Sequence, residues 1–392
     1  MAAPIPPIRR HLESPELPRQ LPALIDNLME EIFVRITCPA DLTRTSAACV
    51  TYRLLIADPT FLRRYRTRHP PLLLGFFSSE GYHPVEAPHP NAPAARALAD
   101  MSFDYLPTGK SHHWSIRDVR DGRVLIQYRA DDDDTLLPVA VCDPLSGQYQ
   151  ILPPIPHHED HDYYNFDATF APCAEANDET SFRVMGTVCG ETEFVVLIFD
   201  SGSVSWTVSA SASWEALSLI DESQPTEYPF LQRPFCVYGS LYWEVDEMHK
   251  LLKLDIDRME FSTINLPFGH DKCHNVLVEA GEGRLGMFSR TVDRKSLNFY
   301  YYYNSMENEH QGGNEWEVKN VIPLPVHGSW AFYAQQGYTF LRGDRKVRDL
   351  VYTCYSLDID TLKLETAIQL SSRYFRIYPY FGFPPSMTPK KI

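Results

Sequence analysis

VVLIFDSGSVSW (residues 195–206) joins an apolar run to a short polar turn that an aspartate opens and a tryptophan ends. Asp200 is followed six residues later by Trp206, and the same spacing occurs at three other places in the chain. The other pairs are Asp143 and Tyr149, Asp255 and Phe261, and Asp358 and Leu364. Each aspartate follows a strand-like run, and its side chain can accept hydrogen bonds from the turn backbone. The pattern therefore predicts a repeated strand–turn–strand unit.

The repeats are spaced almost evenly. A fifth segment, NEWEVKNVIPLP (314–325), has Trp316 but His310 in place of the aspartate, and the sixth-position residues fall at 149, 206, 261, 316 and 364. Their spacings of 57, 55, 55 and 48 residues indicate one four-stranded unit of about 55 residues, as in a kelch-like β-propeller. Five units are clear, and we expect six blades.

The sixth blade has to come from the two ends of the repeat region. Its candidate parts are LLLGFF (72–77), the stretch around Phe103 and the segment YFRIYPYFGF (374–383). Joining them would close the ring and remove exposed sheet edges. Strands led by glycine, at 122–126, 239–243, 283–287 and 337–341, mark a second recurring position.

The front of the chain has a helical pattern instead. LPALIDNLMEEIFVRI (21–36) carries pairs of apolar residues every four positions, which predicts an amphipathic helix. Asp41 is expected to cap a second helix, a third follows over VTYRLLIA (50–57), and Asp58 with Pro59 should start a fourth. The apolar stripe is wider than three short helices can cover, which indicates either a protein-binding surface or a cap on the protein's own second domain.

Five short motifs in this front segment resemble an F-box of the large plant families found in grasses. They are Leu21-Pro22, the run 30–36 (EEIFVRI), the run 39–42 (PADL), the run 46–49 (SAAC), and the ending 56–62 (IADPTFL), with Tyr52 in the position of the family's tryptophan. WSIRDVRDGRVLI (114–126) and YGSLYWEVD (238–246) are similar to F-box-associated propeller regions, more loosely.

The resemblance implies a substrate-recognition subunit of an SCF-type (Skp–cullin–F-box) ubiquitin ligase. In that family the F-box docks onto a Skp-type adaptor and through it a cullin scaffold, while the propeller binds a target protein. The adaptor-facing set implied here is Leu21, Pro22, Ile25, Ile32, Leu42, Cys49 and Tyr52. Tyr52 keeps most of the aromatic area, and Thr37-Cys38 replaces an apolar residue before Pro39, so we expect adaptor affinity to be reduced at most.

Composition and charge narrow the function classes. Residues 1–70 carry a net charge of +3 and the remainder −18, so the larger part would repel a phosphate backbone and nucleic acid is a poor partner. The N-terminus lacks a secretory signal, and no apolar run is long enough for a membrane helix. The eight cysteines show no CxxC spacing, which favours reduced thiols in the cytoplasm or nucleus.

Clusters that could carry chemistry have simpler explanations. HHEDHDYY (157–164) and HDKCH (270–274) contain metal-ligating residue types, but they read as solvated loops without a second ligand pair, and we predict no metal and no cofactor. DDDD (131–134) reads as a hairpin tip, and YYYY (300–303) as blade packing. Nucleophile and phosphate-loop motifs are absent from the sequence, so no catalytic residue is predicted.

The predicted organisation has five parts. Residues 1–17 form a tail, 18–66 the helical F-box, 67–110 a linker with possible first propeller strands, 111–385 the propeller-like domain and 386–392 a second tail. Two other functions stay open. One is a glycan or small-ligand binding module that uses aromatic residues on a propeller face, and the other is a metalloenzyme built on a propeller scaffold.

Overall fold

The structure is a computed structural model. It describes residues 26–37, 39–96, 101–106, 114–128, 138–156, 165–172, 181–220, 229–246, 248–267, 275–303, 316–325, 330–345, 351–370 and 376–382. The chain divides into two compact units, Met1–His69 and Pro70–Ile392. The boundaries predicted from the sequence for tails and linker stay predictions.

Four short helices form the first unit. They are α1 (Asp26–Phe33), α2 (Pro39–Ala48), α3 (Val50–Ile56) and α4 (Pro59–Arg68). Asp58 caps α4 as predicted, because its side chain accepts from the backbone N–H groups of Thr60 and Phe61, with Pro59 in the first turn. The predicted cap of α2 is wrong: Asp41 lies inside the first turn of a helix that begins at Pro39.

The core of the helical unit is small and combines aliphatic and aromatic side chains. Its buried residues are Met29, Phe33, Val34, Leu42, Ile56, Phe61, Leu62 and Tyr65. Buried polar groups are paired within it: the Tyr65 hydroxyl donates to the Ile36 carbonyl at 2.8 Å, and His69 Nε2 lies 2.7 Å from the Val34 carbonyl oxygen. These bonds fasten the end of α4 to the segment that follows α1.

The second unit is a β-propeller of six blades. Five blades are four-stranded antiparallel sheets whose strands follow one another in chain order. Blade 1 contains β3 (Trp114–Arg120), β4 (Arg123–Tyr128), β5 (Val139–Asp143) and β6 (Gln148–Ile151). Blade 2 contains β7 (Asn165–Ala171), β8 (Arg183–Cys189), β9 (Glu193–Asp200) and β10 (Thr207–Ser213).

The next three blades repeat this plan. Blade 3 contains β11 (Phe235–Val237), β12 (Ser240–Val245), β13 (Lys250–Asp255) and β14 (Glu260–Asn265). Blade 4 contains β15 (Asn275–Glu279), β16 (Leu285–Arg290), β17 (Ser296–Tyr302) and β18 (Trp316–Pro323). Blade 5 contains β19 (Trp330–Gln335), β20 (Tyr338–Arg345), β21 (Val351–Asp358) and β22 (Leu364–Leu370).

The sixth blade closes the ring with strands from both ends of the unit. Its three strands are β1 (Leu72–Ser78), β2 (Gly81–Pro84) and β23 (Tyr378–Gly382), in the order β2-β1-β23. The predicted closure between residues 72–77 and the C-terminal segment is therefore confirmed. Phe103 packs on Phe77 with ring centroids 5.5 Å apart, although it lies outside the strands. A short helix, α5 (Ala92–Arg96), follows β2.

The recurring aspartates open the turn before the outermost strand. Asp143, Asp255 and Asp358 each accept backbone N–H groups of their own turn, as predicted. Asp200 differs, because its carboxylate forms a hydrogen-bonded ion pair with the Arg183 guanidinium. Arg183 Nε lies 2.7 Å from Asp200 Oδ1. The glycine-led strands follow tight hairpins: Asp121-Gly122, Tyr238-Gly239 and Gln336-Gly337 all have positive φ at both residues, as two-residue hairpin turns require.

Three of the sixth-position residues, Trp206, Phe261 and Trp316, pack between blades. The Trp206 indole N–H donates to the carbonyl of Pro153, just after the last strand of blade 1, at 2.9 Å. The Trp316 indole N–H donates to the backbone carbonyl of Asn265 in blade 3 at 2.7 Å. Phe261 of blade 3 lies 5.9 Å from Phe194 of blade 2, measured between ring centroids. These contacts connect blades 2, 3 and 4 each to the blade before it.

Candidate functional site

The helical unit exposes apolar side chains on two helices. Leu28 and Ile32 on α1 are 49% and 46% exposed, and Val50 and Leu54 on α3 are 61% and 67% exposed. Each pair is spaced four residues apart and so lies on one face of its helix. The apolar stripe of α1 is therefore divided, with Met29 and Phe33 in the core and the other two in contact with solvent.

Aromatic packing fixes the two exposed pairs in place. Phe33 of α1 and Tyr52 of α3 meet edge to face, with ring centroids 5.0 Å apart. The Cys49 sulfur accepts from the Tyr52 backbone N–H at 3.5 Å and so caps α3. We call Leu28, Ile32, Val50 and Leu54 the exposed apolar face. Free-standing apolar area of this kind on paired helices is typical of protein-binding surfaces.

The structure places the predicted adaptor-facing residues differently from one another. Leu21, Pro22 and Ile25 lie outside the described residues. Ile32 and Cys49 are exposed, and Tyr52 is half-buried against Phe33. Leu42 is a correction: its side chain is 0% exposed, so it belongs to the core of the helical unit and offers no surface to a partner.

Two residues of the exposed apolar face were missed. The sequence-based prediction places Val50 and Leu54 in a helix, but it does not infer from their four-residue spacing that they share one exposed face. The same spacing that was used for α1 would have found them in VTYRLLIA.

The second candidate site is a cavity of about 380 Å³ at one end of the propeller's inner strands. Five of the six blades contribute to its lining. Three arginines and an aspartate are among the lining residues, beside aromatic side chains: Arg117, Arg233, Arg376, Asp167, Phe166, Phe230, Phe332, Tyr333 and Tyr378. We call it the arginine cavity.

Asp118 anchors a buried polar network beneath this cavity. One carboxylate oxygen accepts the Tyr333 hydroxyl at 2.8 Å, and the other accepts the Thr169 hydroxyl at 2.8 Å and the Phe170 backbone N–H at 2.9 Å. Arg233 forms an ion pair with Asp118 at 3.5 Å. The carboxylate therefore ties blades 1, 2 and 5 to the segment that enters blade 3.

Charge and burial set the protonation states here. Burial works against ionisation of Asp118, but the Arg233 and Arg120 guanidinium groups and the hydrogen bonds outweigh it, so its pKa lies below its usual value. Burial and the Asp118 charge raise the pKa of Tyr333 well above its usual value. In the cavity wall, burial and Asp167 raise the pKa of the Cys189 thiol to about 12, so this group stays protonated at neutral pH.

The opposite ends of the inner strands line a second cavity, of about 520 Å³. On β3, Arg117 lies at the arginine cavity and Arg120 at the second one, and on β19 Tyr333 and Gln335 are divided in the same way. Asp121, Glu279 and Asp360 are among its lining residues. The two cavities thus differ in charge.

The histidine-rich motifs give no metal site. HHEDHDYY (157–164) and HDKCH (270–274) lie outside the described residues, as does DDDD (131–134). Within the ranges that the structure describes, no group of three or more histidine, cysteine, aspartate or glutamate residues could hold a metal ion. The five described cysteines, at 49, 142, 189, 236 and 354, are not in disulfides. None of the described helices combines the length and apolar character that a membrane span requires.

A family model described as "F-box protein AT5G49610-like, beta-propeller" matches residues 115–326, more than half of the chain. The chain belongs to this family. The matched segment begins in β3 of blade 1 and ends just after β18 of blade 4. The F-box resemblance of residues 18–66 and this match therefore concern different parts of one F-box-type protein of plants, which is expected to act through protein–protein contacts.

No curated protein matches this F-box protein. Similar solved structures include an exo-β-1,3-galactanase from Clostridium thermocellum, at 11% identity and a TM-score of 0.37, with 66% of this chain and 62% of that chain covered. The β-propeller domain of Cps50 (Swd1) from Myceliophteria thermophila matches at 10% identity and a TM-score of 0.35, with 68% and 88% covered. The chain thus spans less than two thirds of the galactanase, and neither likeness bears on function.

Proposed function

We propose that this chain is the substrate-recognition subunit of an SCF-type ubiquitin ligase, of the grass-type F-box group with a kelch-like propeller. The helical unit binds a Skp-type adaptor and through it a cullin scaffold. The propeller binds a target protein in the cytoplasm or nucleus. The chain itself catalyses nothing; it raises the target's effective concentration near the ubiquitin-charged enzyme.

The observation that carries the proposal is the exposed apolar face. Four large aliphatic side chains stay in contact with water on two helices that Phe33 and Tyr52 hold together. A helical unit of this size buries little apolar surface of its own, so a partner that covers this face also stabilises the unit.

The chemistry of the arginine cavity supports a non-catalytic role. The Asp118 carboxylate is engaged by several donors and by Arg233, so it has little capacity left to accept a proton. The Cys189 thiol, with its raised pKa, is a weak nucleophile at neutral pH.

The first test removes the exposed apolar face without touching the core. The double variant Ile32→Asp with Leu54→Asp, co-expressed with a plant Skp-type adaptor, should lose the adaptor on affinity purification. Losing one central aliphatic anchor commonly costs about 2 kcal/mol, or roughly thirtyfold in affinity. Val292→Asp is the matched control, because Val292 is 80% exposed on the propeller. Retention of the adaptor by the double variant would contradict the proposal.

A second test uses the residues that only the F-box resemblance names. Leu21→Ala with Pro22→Ala should abolish co-purification with the adaptor. Circular dichroism of the purified variant should match that of the unaltered chain. A variant that is folded and still binds adaptor normally would rule out the F-box assignment.

A further inference from the structure

The arginine cavity reverses the charge of the propeller around it. The chain carries a formal net charge of −15, yet three arginines and one aspartate are the charged residues that line this cavity. Arg117 lies 3.7 Å from Asp167, and Arg233 lies 3.5 Å from Asp118 below. Arg376 remains as a surplus cation, since no ion pair joins it to another described residue. An anion entering here meets favourable charge that the opposite cavity does not offer.

Arg233 is held in position but keeps its hydrogen-bonding capacity. Its guanidinium carbon lies 4.5 Å from the centroid of the Tyr378 ring and 5.8 Å from that of Tyr333. Arg233 Nη2 lies 3.5 Å from Asp118 Oδ1 as an ion pair, but the guanidinium donates no hydrogen bond that meets normal geometry to any residue in the described part of the chain. A guanidinium presents five N–H donors in a planar fork that fits two oxygens of one carboxylate or phosphate.

The apolar side chains in the cavity wall favour a ligand that carries an apolar group beside the anion. Phe166 and Phe332 are among its lining residues, and Phe230 is 59% exposed among them. An exposed phenylalanine beside a cavity of about 380 Å³ suits a ligand that extends beyond the cavity. A peptide segment does this, since one residue enters while its neighbours cover the lip.

We propose that the arginine cavity is the place where the propeller binds its target, through a peptide segment in which an apolar side chain adjoins an oxyanion, either a carboxylate or a phosphate. The oxyanion pairs with Arg233 and Arg376, and the apolar side chain packs on Phe230 and Phe332. This inference rests on the proposed role of the propeller as the target-binding part of the chain.

The test uses peptides in which the oxyanion is the only charge. Acetylated and amidated peptides Gly-Ala-Phe-X-Ala-Gly, with X as glutamate, phosphoserine, glutamine or lysine, are titrated into the full chain and followed by saturation-transfer NMR. A fifth peptide ends in a free carboxylate after phenylalanine. We expect dissociation constants on the order of 0.1–1 mM for one or more oxyanion peptides, and at least about tenfold weaker binding of the glutamine and lysine peptides. The strongest of the three oxyanion peptides identifies the source of the anion.

Two variants locate the binding. Arg376→Gln should weaken the oxyanion peptides about fivefold and leave the glutamine peptide unchanged. Arg233→Lys keeps the charge but removes the planar fork, and it should weaken them further. Arg258→Gln is the control, because it removes the same charge from an exposed turn of blade 3. Equal binding of the glutamate and glutamine peptides, no binding of any peptide, or equal effects of Arg376→Gln and Arg258→Gln would each overturn the proposal.

These measurements need no adaptor. If the peptides bind as expected while the adaptor does not co-purify, the ligase assignment fails and the anion site stands. If the adaptor co-purifies normally and no peptide binds, the ligase assignment stands and the anion site fails.

Discussion

At the scale of single residues, Asp118 is a charged side chain that the propeller buries. Its side chain is 3% exposed, and it accepts hydrogen bonds from Tyr333, Thr169 and Phe170 while facing Arg233. A buried carboxylate is stable only when its charge is matched in this way. The residue thereby fixes Arg233 and the floor of the arginine cavity, so its removal affects both stability and the proposed binding site.

Asp118→Asn should lower the free energy of unfolding by about 3 kcal/mol at pH 7, because it leaves a buried arginine without its counter-charge. The pKa of Asp118 is lower in the folded than in the unfolded chain, so its contribution is fully present above the unfolded value of about 4 and is lost as pH falls through the folded value. Urea unfolding at several pH values checks this.

The gap between the unaltered chain and Asp118→Asn should therefore narrow below about pH 4. Asp257→Asn, in an exposed turn, is the control and should change stability by less than about 0.5 kcal/mol at pH 7. A gap that stays constant down to pH 3 would show that the carboxylate charge is not what stabilises the network.

At the scale of single elements, the strands of this fold are joined by tight turns that require particular backbone dihedral angles. Several turns place a residue other than glycine at positive φ. Arg294, at 59°, lies in the turn between β16 and β17 of blade 4, whereas Met259 at 55° and Leu362 at 56° lie four residues after the aspartates of blades 3 and 5. In blade 1 the corresponding turn position is Gly147, at 69°. Glycine adopts this conformation without the steric cost that other L-residues have. The repeated turn thus keeps its geometry although its residues differ.

Arg294→Gly should raise the free energy of unfolding by about 0.5 kcal/mol, because relief of the positive φ exceeds the added entropy of the unfolded chain. Arg294 is exposed, so no packing is lost. Arg258→Gly is matched to it: Arg258 is also an exposed turn arginine, but its φ is not positive, and the variant should be less stable by about 0.5–1 kcal/mol. Denaturant unfolding that moved both variants in the same direction would contradict this account.

The whole propeller depends on the pairing of β1 with β23. This pairing joins residues 72–77 to residues 378–382, and β23 also packs against β3 of blade 1. Tyr380 and Phe77 meet there edge to face, with ring centroids 5.3 Å apart. A ring closed in this way leaves no open gap between its first and last blades.

A chain that ends at Leu370 should lose the cooperative thermal unfolding of the propeller and aggregate, since β1 then exposes an unpaired edge and β3 loses the packing of β23. A chain that ends at Gly382 keeps β23 and is the matched control. Differential scanning calorimetry and size-exclusion chromatography report the outcome. Equal melting temperatures for the two truncated chains would show that the closure is not needed for stability.

Much of this architecture follows from local sequence. The period of about 55 residues, the aspartate turns and the glycine hairpins each lie within one short segment, where turn chemistry and alternation determine the backbone. The six-bladed ring and its closure by the two ends were predicted on that basis and are confirmed. The aspartate rule did not hold at Asp200, because Arg183, seventeen residues earlier, provides a stronger partner than the turn backbone.

The functional surfaces depend on distant parts of the chain. Tyr333 and Asp118 are 215 residues apart, and only the closed ring brings them to 2.8 Å. The packing of the helices likewise decides which half of the α1 stripe faces solvent. It also buries Leu42. Sequence alone determined the repeating unit and the helical front, since these depend on neighbours along the chain. The tertiary structure alone decided the arginine cavity, because its charges come from different blades and have no shared sequence pattern.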